Sequence, residues 1–381
     1  MVYGENISGK AEGFINSTYL STMSQSENFQ AAAWRRLKKN KGAIGGLIVI
    51  ILAILVSFGA YFIAPDNSPY ANRIIVEIGG RKPGFIQEFL LVKKEKQVAV
   101  PGIIDQWLYG KEDACLYVPF KSYTQQADSI IIEKYIDEGV FERQAYSVSA
   151  LDKNPIVVKK FWLGTDKYGR DILSRIIIGT RVSLSVGLIT VIISLSIGLI
   201  LGSIAGYYKG RTDDIIMWFI NIIWSIPTLL LVFAITLALG KGFWQVFIAV
   251  GLTMWVNVAR LVRGQVMEKR ELEYIEATRA LGYSDSRIIV KHIWPNIMGP
   301  IMVIAASNFA SAIVIEAGLS FLGVGVQPPM PSWGLMMQEN YNFIITQNPM
   351  LALAPGFAIM ILVLAFNMLG NGLRDALNVK Q

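Results

Sequence analysis

Residues 182–207 read VSLSVGLITVIISLSIGLILGSIAGY, a run free of charged side chains. An α-helix rises about 1.5 Å per residue, so ~20 apolar residues cross a hydrocarbon layer ~30 Å thick. This run is long enough to do so. Within it Gly198, Gly202 and Gly206 recur every fourth position and share one helix face. Such a face lets a second backbone approach closely, either within the chain or on a second membrane subunit.

Runs of the same kind occupy 44–63, 215–239, 243–262, 300–322 and 351–370. The 381 residues are 53% hydrophobic and only 17% charged, with mean hydropathy +0.45. That composition excludes an ordinary soluble domain. The expected fold class is an all-α polytopic membrane protein of six transmembrane helices. The first run, IGGLIVIILAILVSFGAYFI, is too long for a secretory signal core of about 7–15 residues and ends FIAPD without a small-residue cleavage site. It is read as an uncleaved anchor spanning 44–64.

Lys and Arg in short loops set orientation. Arg35, Arg36, Lys38, Lys39 and Lys41 precede the first span and place the N-terminus in the cytoplasm. Alternation then puts Lys209, Arg211, the 263–298 segment and the C-terminal tail on the same side. The 263–298 segment carries Arg263, Lys269, Arg270, Arg279, Arg287 and Lys291, whereas the opposite loop 323–349 has neither Lys nor Arg. Six spans and the charge rule agree, with the plasma or inner membrane as the location.

Residues 1–43 read as a cytoplasmic leader, disordered over 1–30, ending in a basic amphipathic segment. Residues 65–160 form an external insert. In it RIIVEI, FLLV, QVAV, CLYVPF and SIIIEKYI are short β-prone runs broken by Gly, Pro and charge, which points to a small α+β domain between spans 1 and 2. Residues 161–381 make the remaining membrane core.

Polar residues inside the spans are few. NIIWSIPTLL brings Asn221, Ser225 and Pro227 together, a kink that either lines a pathway or is merely structural. Glu316, in SAIVIEAGLSFLG, would cost roughly 2.5–3.5 kcal/mol at a span's centre. It is expected in the outer third, facing a pathway or held by a structural hydrogen bond. Asn257, Asn308 and Ser311 are further pathway candidates. Arg260 is placed at an inner edge, where it can snorkel. No relay of ionisable groups recurs through the spans, which argues against a proton-driven transporter.

Chemistry on this chain is hard to find. GENISGKA at 4–11 fits G-x-x-x-x-G-K, but Ala11 lacks the hydroxyl that would hold Mg²⁺ and no strand precedes it. One cysteine, Cys115, and one histidine, His292, leave no disulfide and no His-rich metal site. No catalytic set is recognisable, so any energy source lies on another polypeptide. His292, near a helix end, is read as a surface or terminus residue.

One passage interrupts the apolar pattern: EYIEATRALGYSDSRIIVKHIWPN, 273–296. A helix over 267–281 would place Tyr274, Ala277 and Leu281 on one narrow face, with Glu276 and Arg279 paired elsewhere. Gly282 suits a left-handed helix end, Ser284 or Asp285 can cap a second helix, and Pro295 is expected to close it. The result is a knuckle between two spans, resting on headgroups or fitted to a partner's shallow groove.

EATRALG followed after nine residues by HIWP resembles the EAA loop of permease subunits in binding-protein-dependent ABC importers. FWLGTDKYGRDILSR (161–175), SIPTLLL, EAGLSFLGVGVQPPMPSWG (316–334) and GNGLRDALN resemble the second permease subunit of dipeptide and oligopeptide importers. The likeness covers about residues 30–64 and 160–380. It implies a type I importer permease fold, with the loop 264–298 docking on an ATPase through Glu276, Ala277, Thr278, Gly282, His292 and Pro295. Thr278 stands where the family has a second Ala, and Trp294 where it has Leu. It also implies a homologous second permease, two ATPase subunits that bind the ATP and Mg²⁺, and an extracytoplasmic binding protein. No cofactor and no nucleic acid is implied for this chain, whose other partner is the lipid bilayer. The insert exceeds the family's usual length, which leaves a rival reading: a membrane-anchored receptor or assembly factor working through its external domain.

Overall fold

The computed structural model describes residues 31–95, 101–126, 128–137, 139–345 and 348–377. The 1–30 leader, the 4–11 glycine motif and the QVAV run at 97–100 lie outside the described residues.

Residues 31–39 are helical and lead into α1, Lys41–Phe58, whose N-cap Asn40 accepts from the Ala43 amide at 3.1 Å. A short α2, Ala60–Ile63, completes the first span. On α1, Ala43, Gly46 and Ile50 are buried, while Ile48, Ile51, Leu55 and Phe58 are exposed on the far side. The one stripe faces protein and the other is bare.

The insert is a five-stranded antiparallel sheet ordered β4-β3-β2-β1-β5. Its strands are β1 Phe85–Lys93, β2 Cys115–Gln126, β3 Ser129–Asp137, β4 Val140–Ser147 and β5 Leu151–Phe161. Side chains alternate between two faces. Leu90, Phe120, Ile130, Ile132 and Leu151 cluster on one, and Phe89 and Phe161 pack with Ile75 and Ile78 on the other. An α-helix, α3 Ile103–Tyr109, lies between β1 and β2 in the chain. FLLV, CLYVPF and SIIIEKYI are strands as expected. RIIVEI is not: Val76–Ile78 is a 3-10 turn, because Ile75 and Ile78 must both turn inward beneath Phe89.

Beyond the sheet come α4 Ile172–Tyr208, α5 Gly210–Ser225, α6 Thr228–Leu239, α7 Phe243–Arg270, α8 Glu273–Ala280, α9 Asp285–Phe321, α10 Trp333–Asn340 and α11 Met350–Leu377. Among the described residues five helices are long and apolar enough to cross a membrane, and α5 with α6 makes a sixth if counted together. That pair bends by 93° at Ile226–Pro227. The expected kink is therefore a break, because Pro227 cannot donate and turns the chain out of the helix.

Packing is closest between α4 and α7. A Cβ added at Gly198, Gly202 or Gly206 would lie 2.5 Å from Val258 Cβ, 2.5 Å from the Ala259 carbonyl oxygen and 2.6 Å from that of Arg263. All three glycines face α7 of the same chain, which answers the question their spacing raised. Gly187 likewise admits Phe309, whose ring stacks on Phe366 at 4.0 Å and joins α9 to α11.

The sheet is pinned to the bundle by FWLGTDKYGRDILSR. Arg170 pairs with Asp166 at 2.6 Å and with Glu339 of α10 at 2.7 Å, and Arg175 reaches Glu339 at 3.4 Å. All four side chains are nearly inaccessible. Thr165 Oγ1 donates to the Ile78 carbonyl at 2.5 Å, and the Asp66 amide donates to Ser174 Oγ at 2.8 Å. Buried ions are tolerated only when paired and hydrogen-bonded, so this motif is the electrostatic floor under the sheet.

Candidate functional site

Two features at different levels of the bundle stand out. The first is the knuckle formed by α8 and the start of α9. Helix α7 runs to Arg270, so the single helix expected over 267–281 is two helices broken at Glu271–Leu272. Ile275 is fully buried and packs with Val262 and Val266 of α7 and with Ile288, Ile289 and Ile293 of α9. Seating that isoleucine is what breaks the helix. Helix α8 then ends in a Schellman turn: Gly282 has φ 77°, its amide donates to Arg279 O at 2.9 Å, and Tyr283 N donates to Thr278 O at 3.2 Å.

The outward side of α8 carries Tyr274, Glu276, Ala277 and Leu281, the last 72% exposed, with Gly282 beside them. Thr278, placed on the same surface by resemblance, turns inward, and its Oγ1 donates to Ile275 O at 2.7 Å. Trp294 also points inward and donates through Nε1 to Ser203 Oγ of α4 at 2.9 Å. The larger ring is thus spent on packing rather than on the outer surface. His292 is half-buried and stacks on Tyr283 at 5.8 Å.

Pro295 does not close the second helix. Helix α9 runs through from Asp285 to Phe321, and Ile289–Ile293 adopt the wider π spacing. A proline removes one backbone donor and crowds the carbonyl four residues earlier. The π turn loosens the ladder just before Pro295, so the helix continues.

Charged contacts brace the knuckle. Asp213 of α5 receives a two-pronged bond from Arg263 at 2.5 and 2.6 Å. Tyr207, at the end of α4, donates to Asp285 Oδ1 at 2.8 Å and accepts from Arg279 Nε at 3.3 Å. Arg270 donates to the Tyr207 carbonyl. The knuckle is therefore tied to α4, α7 and α9 by hydrogen bonds and by its buried isoleucine core.

The second feature is a cleft of about 550 Å³ between the α5–α6 break, α7, α9 and α11. Its polar lining includes Thr228, Thr253, Asn257, Ser307, Asn308, Ser311 and Asn367, and among the described residues no charged side chain lines it. Asn257, Asn308 and Ser311 were legible as polar residues inside spans. Ser307 lies one turn before Ser311 and could have been found by that spacing. Asn367, Thr228 and Thr253 also lie inside the expected spans and carried the same signal, which the sequence reading passed over.

The other pathway candidates lie elsewhere. Asn221 accepts from Arg260 Nη2 at 2.6 Å, and the Arg260 guanidinium stacks 3.8 Å from the Trp224 ring centroid rather than reaching out alone. Ser225 Oγ bonds its own helix at Ile222 O, 2.7 Å away, and Pro227 sits at the break outside the lining. Glu316 is fully buried and accepts from Ser320 Oγ at 2.6 Å, while that same hydroxyl accepts from the Val326 amide at 3.0 Å. It braces the turn after α9 instead of facing the cleft.

Residues 198–380 match the family described as binding-protein-dependent transport system inner membrane component, and residues 29–75 match the N-terminal TM domain of oligopeptide transport permease C. The sheet lies between those two ranges. Over 254 residues the chain is 42% identical to the oligopeptide transport system permease protein OppC of Bacillus subtilis, covering 66% of this chain and 82% of that one. The dipeptide transport system permease protein DppC of Alkalihalophilus pseudofirmus is 42% identical, covering 66% of this chain and 84% of the relative. The glutathione transport system permease protein GsiD of Pectobacterium atrosepticum is 43% identical, covering 58% and 72%. Among solved structures, an inward-facing MetNI methionine ABC transporter chain is 18% identical, with TM-score 0.46, covering 55% of this chain and 98% of that one.

Proposed function

Because this chain belongs to the family of binding-protein-dependent transport system inner membrane components, we propose that it is the permease subunit of an ATP-driven peptide importer, supplying half of the translocation path and coupling it to a separate ATPase. The knuckle carries this reading. Its exposed face of Tyr274, Glu276, Ala277, Leu281 and Gly282 stands on a buried isoleucine core shared with α7 and α9. An ATPase groove that closes on that face would tilt both spans and switch the cleft between the two sides of the membrane. His292 and Pro295 flank the docking face, and Thr278 supports it from beneath.

A homologous permease would complete the path, two ATPase subunits would bind the ATP and Mg²⁺, and an extracytoplasmic binding protein would deliver substrate. Both termini and the knuckle would lie in the cytoplasm, a placement that the Lys and Arg distribution supports. Peptides fit the cleft because its hydroxyls and carboxamides can hydrogen-bond a peptide backbone without selecting one side-chain charge. The relatives' names, oligopeptide, dipeptide and glutathione, agree with that chemistry.

The test is affinity capture of the tagged chain from gently solubilised native membranes, wild type beside Glu276→Lys. Glu276 is exposed, so the substitution leaves the fold intact. A P-loop ATPase recovered with wild type and lost with the variant supports the reading. A second permease recovered with no ATPase in either sample sinks it. The receptor reading draws on the sheet's position outside both matched ranges. It gains if deleting the β3–β4 hairpin abolishes ligand capture but leaves ATP-driven uptake of free peptide unchanged.

A further inference from the structure

Helix α3, between β1 and β2 in the chain, sits against the bundle and reads IIDQWLY. Ile103, Ile104, Trp107 and Leu108 fall at i, i+1, i+4 and i+5 and share one side, while Asp105, Gln106 and Tyr109 occupy the other. Ile103 is 81% exposed and Ile104 71%. Two adjacent isoleucines left this bare on a short helix call for an apolar cover.

The placement of α3 says what covers it. The Trp107 ring stacks on Phe58 at 6.0 Å, and Trp107 Nε1 donates to the Phe58 carbonyl at 2.6 Å. Phe58 is the last residue of α1 and ends the exposed apolar stripe of Ile48, Ile51 and Leu55 on a helix long and apolar enough to cross a membrane. Phe62 and Ile63 extend the same exposed surface. From α4, Arg181 Nη1 donates to the Trp107 carbonyl at 2.9 Å and ties down the end of α3. The apolar side of α3 is continuous with the membrane face of the first span. Tryptophan, tyrosine and arginine gather where it joins, as they do at membrane–water boundaries.

We propose that α3 is an interfacial anchor: it lies in the headgroup region at the sheet end of the bundle, inserts Ile103 and Ile104 among the acyl chains, and holds the sheet at a set height over the bilayer. The sheet is then fastened on two sides, by the Arg170–Glu339 cluster below and by lipid at its flank. Whatever docks on the sheet meets it in one orientation.

Site-directed spin labelling of the full chain, assembled with its native membrane partners in lipid nanodiscs, tests this. Nitroxides at Ile103→Cys and Ile104→Cys are introduced with the native cysteine removed as Cys115→Ser. Ile51→Cys gives the lipid standard and Lys121→Cys the aqueous standard, since both sites are exposed. We expect labels at 103 and 104 to be relaxed more by oxygen than by a nickel chelate, as at 51, with the opposite ratio at 121. Higher nickel accessibility at 103 and 104 would put α3 in water and overturn the proposal. Low accessibility to both reagents would overturn it too, by showing a protein partner on that face. The ratio at 51 and 121 reports whether each labelled chain has inserted and folded.

Discussion

The hydroxyl of Tyr207 donates to Asp285 across 2.8 Å and joins the last turn of α4 to the first turn of α9. Seventy-eight residues separate the two in sequence, and the knuckle's base is built on that link. Arg279 of α8 reaches the same hydroxyl at 3.3 Å. Three helices therefore meet on one oxygen.

Tyr207→Phe removes that oxygen while keeping the ring. A single hydrogen bond contributes about 0.5–1.5 kcal/mol, so folding should survive. ATP-driven uptake is expected to fall several-fold while ATPase capture stays near wild type. Parallel measurements of uptake and capture check this, and equal loss of both would show that the link serves docking alone.

The cluster under the sheet makes a stability prediction. Arg170 and Glu339 are nearly inaccessible, and removing one partner of a buried pair costs about 3–5 kcal/mol. Arg170→Ala should lower the thermal midpoint sharply. Lys134→Ala, whose partner Glu77 lies 3.4 Å away in a partly exposed pair, should change it little, because such pairs contribute about 0–1 kcal/mol. Tryptophan fluorescence on heating the purified protein distinguishes the two.

Two glycines, Gly202 of α4 and Gly264 of α7, give a contrasting pair of variants. A Cβ at Gly202 would lie 2.5 Å from the Ala259 carbonyl oxygen, whereas a Cβ at Gly264 meets nothing within 4 Å. Gly202→Val should cost about 1–3 kcal/mol through overpacking and reduce the amount of folded protein in membranes. Gly264→Ala should leave that amount unchanged or slightly raised.

Stability of the sheet should depend on pH through Lys159. Burial, reinforced by the nearby Arg73 guanidinium, lowers its pKa to about 8. A free lysine titrates near 10.4, so between about pH 8 and pH 10 the unfolded chain binds more protons than the folded one. Stability contributed by this site therefore rises with pH across that window. Lys159→Met should raise the thermal midpoint at pH 7 and abolish the rise between pH 8 and 10. A variant with the wild-type pH profile would refute this assignment.

The cleft can be blocked without touching the knuckle. Ser311 is exposed in its wall, and Ser311→Trp should reduce uptake by roughly tenfold, equivalent to about 1.4 kcal/mol in barrier height. ATPase capture should be unaffected. Unchanged uptake would move the path elsewhere.

Much of the knuckle was legible beforehand. Tyr274, Ala277 and Leu281 share an exposed face as their spacing indicated, and Gly282 adopts the left-handed turn that only its missing Cβ allows without strain. The break at Glu271–Leu272 was not legible, since no proline or glycine marks it. It answers to Ile275, which must reach a core made by α7 and α9. Glu316 was legible in part, since a structural hydrogen bond was one of its two expected roles. A carboxylate in an apolar run demands a partner, but the sequence does not say that the partner is Ser320, one turn along the same helix.

By itself the sequence determined what depends on neighbours along the chain. Uninterrupted apolar length marked the spans, β-prone runs between Gly, Pro and charge marked three of the five strands, and Gly282 stopped a helix. Tertiary structure alone decided which side of each span faces the cleft, because packing of whole helices sets their rotation. Gly198, Gly202 and Gly206 lock α4 against α7, and that contact leaves Asn257 facing the cleft while Val258 and Ala259 are buried. The same applies to Asp166, Arg170, Arg175 and Glu339. Their charges are local facts, but burying them was possible only once folding brought four partners within reach of one another.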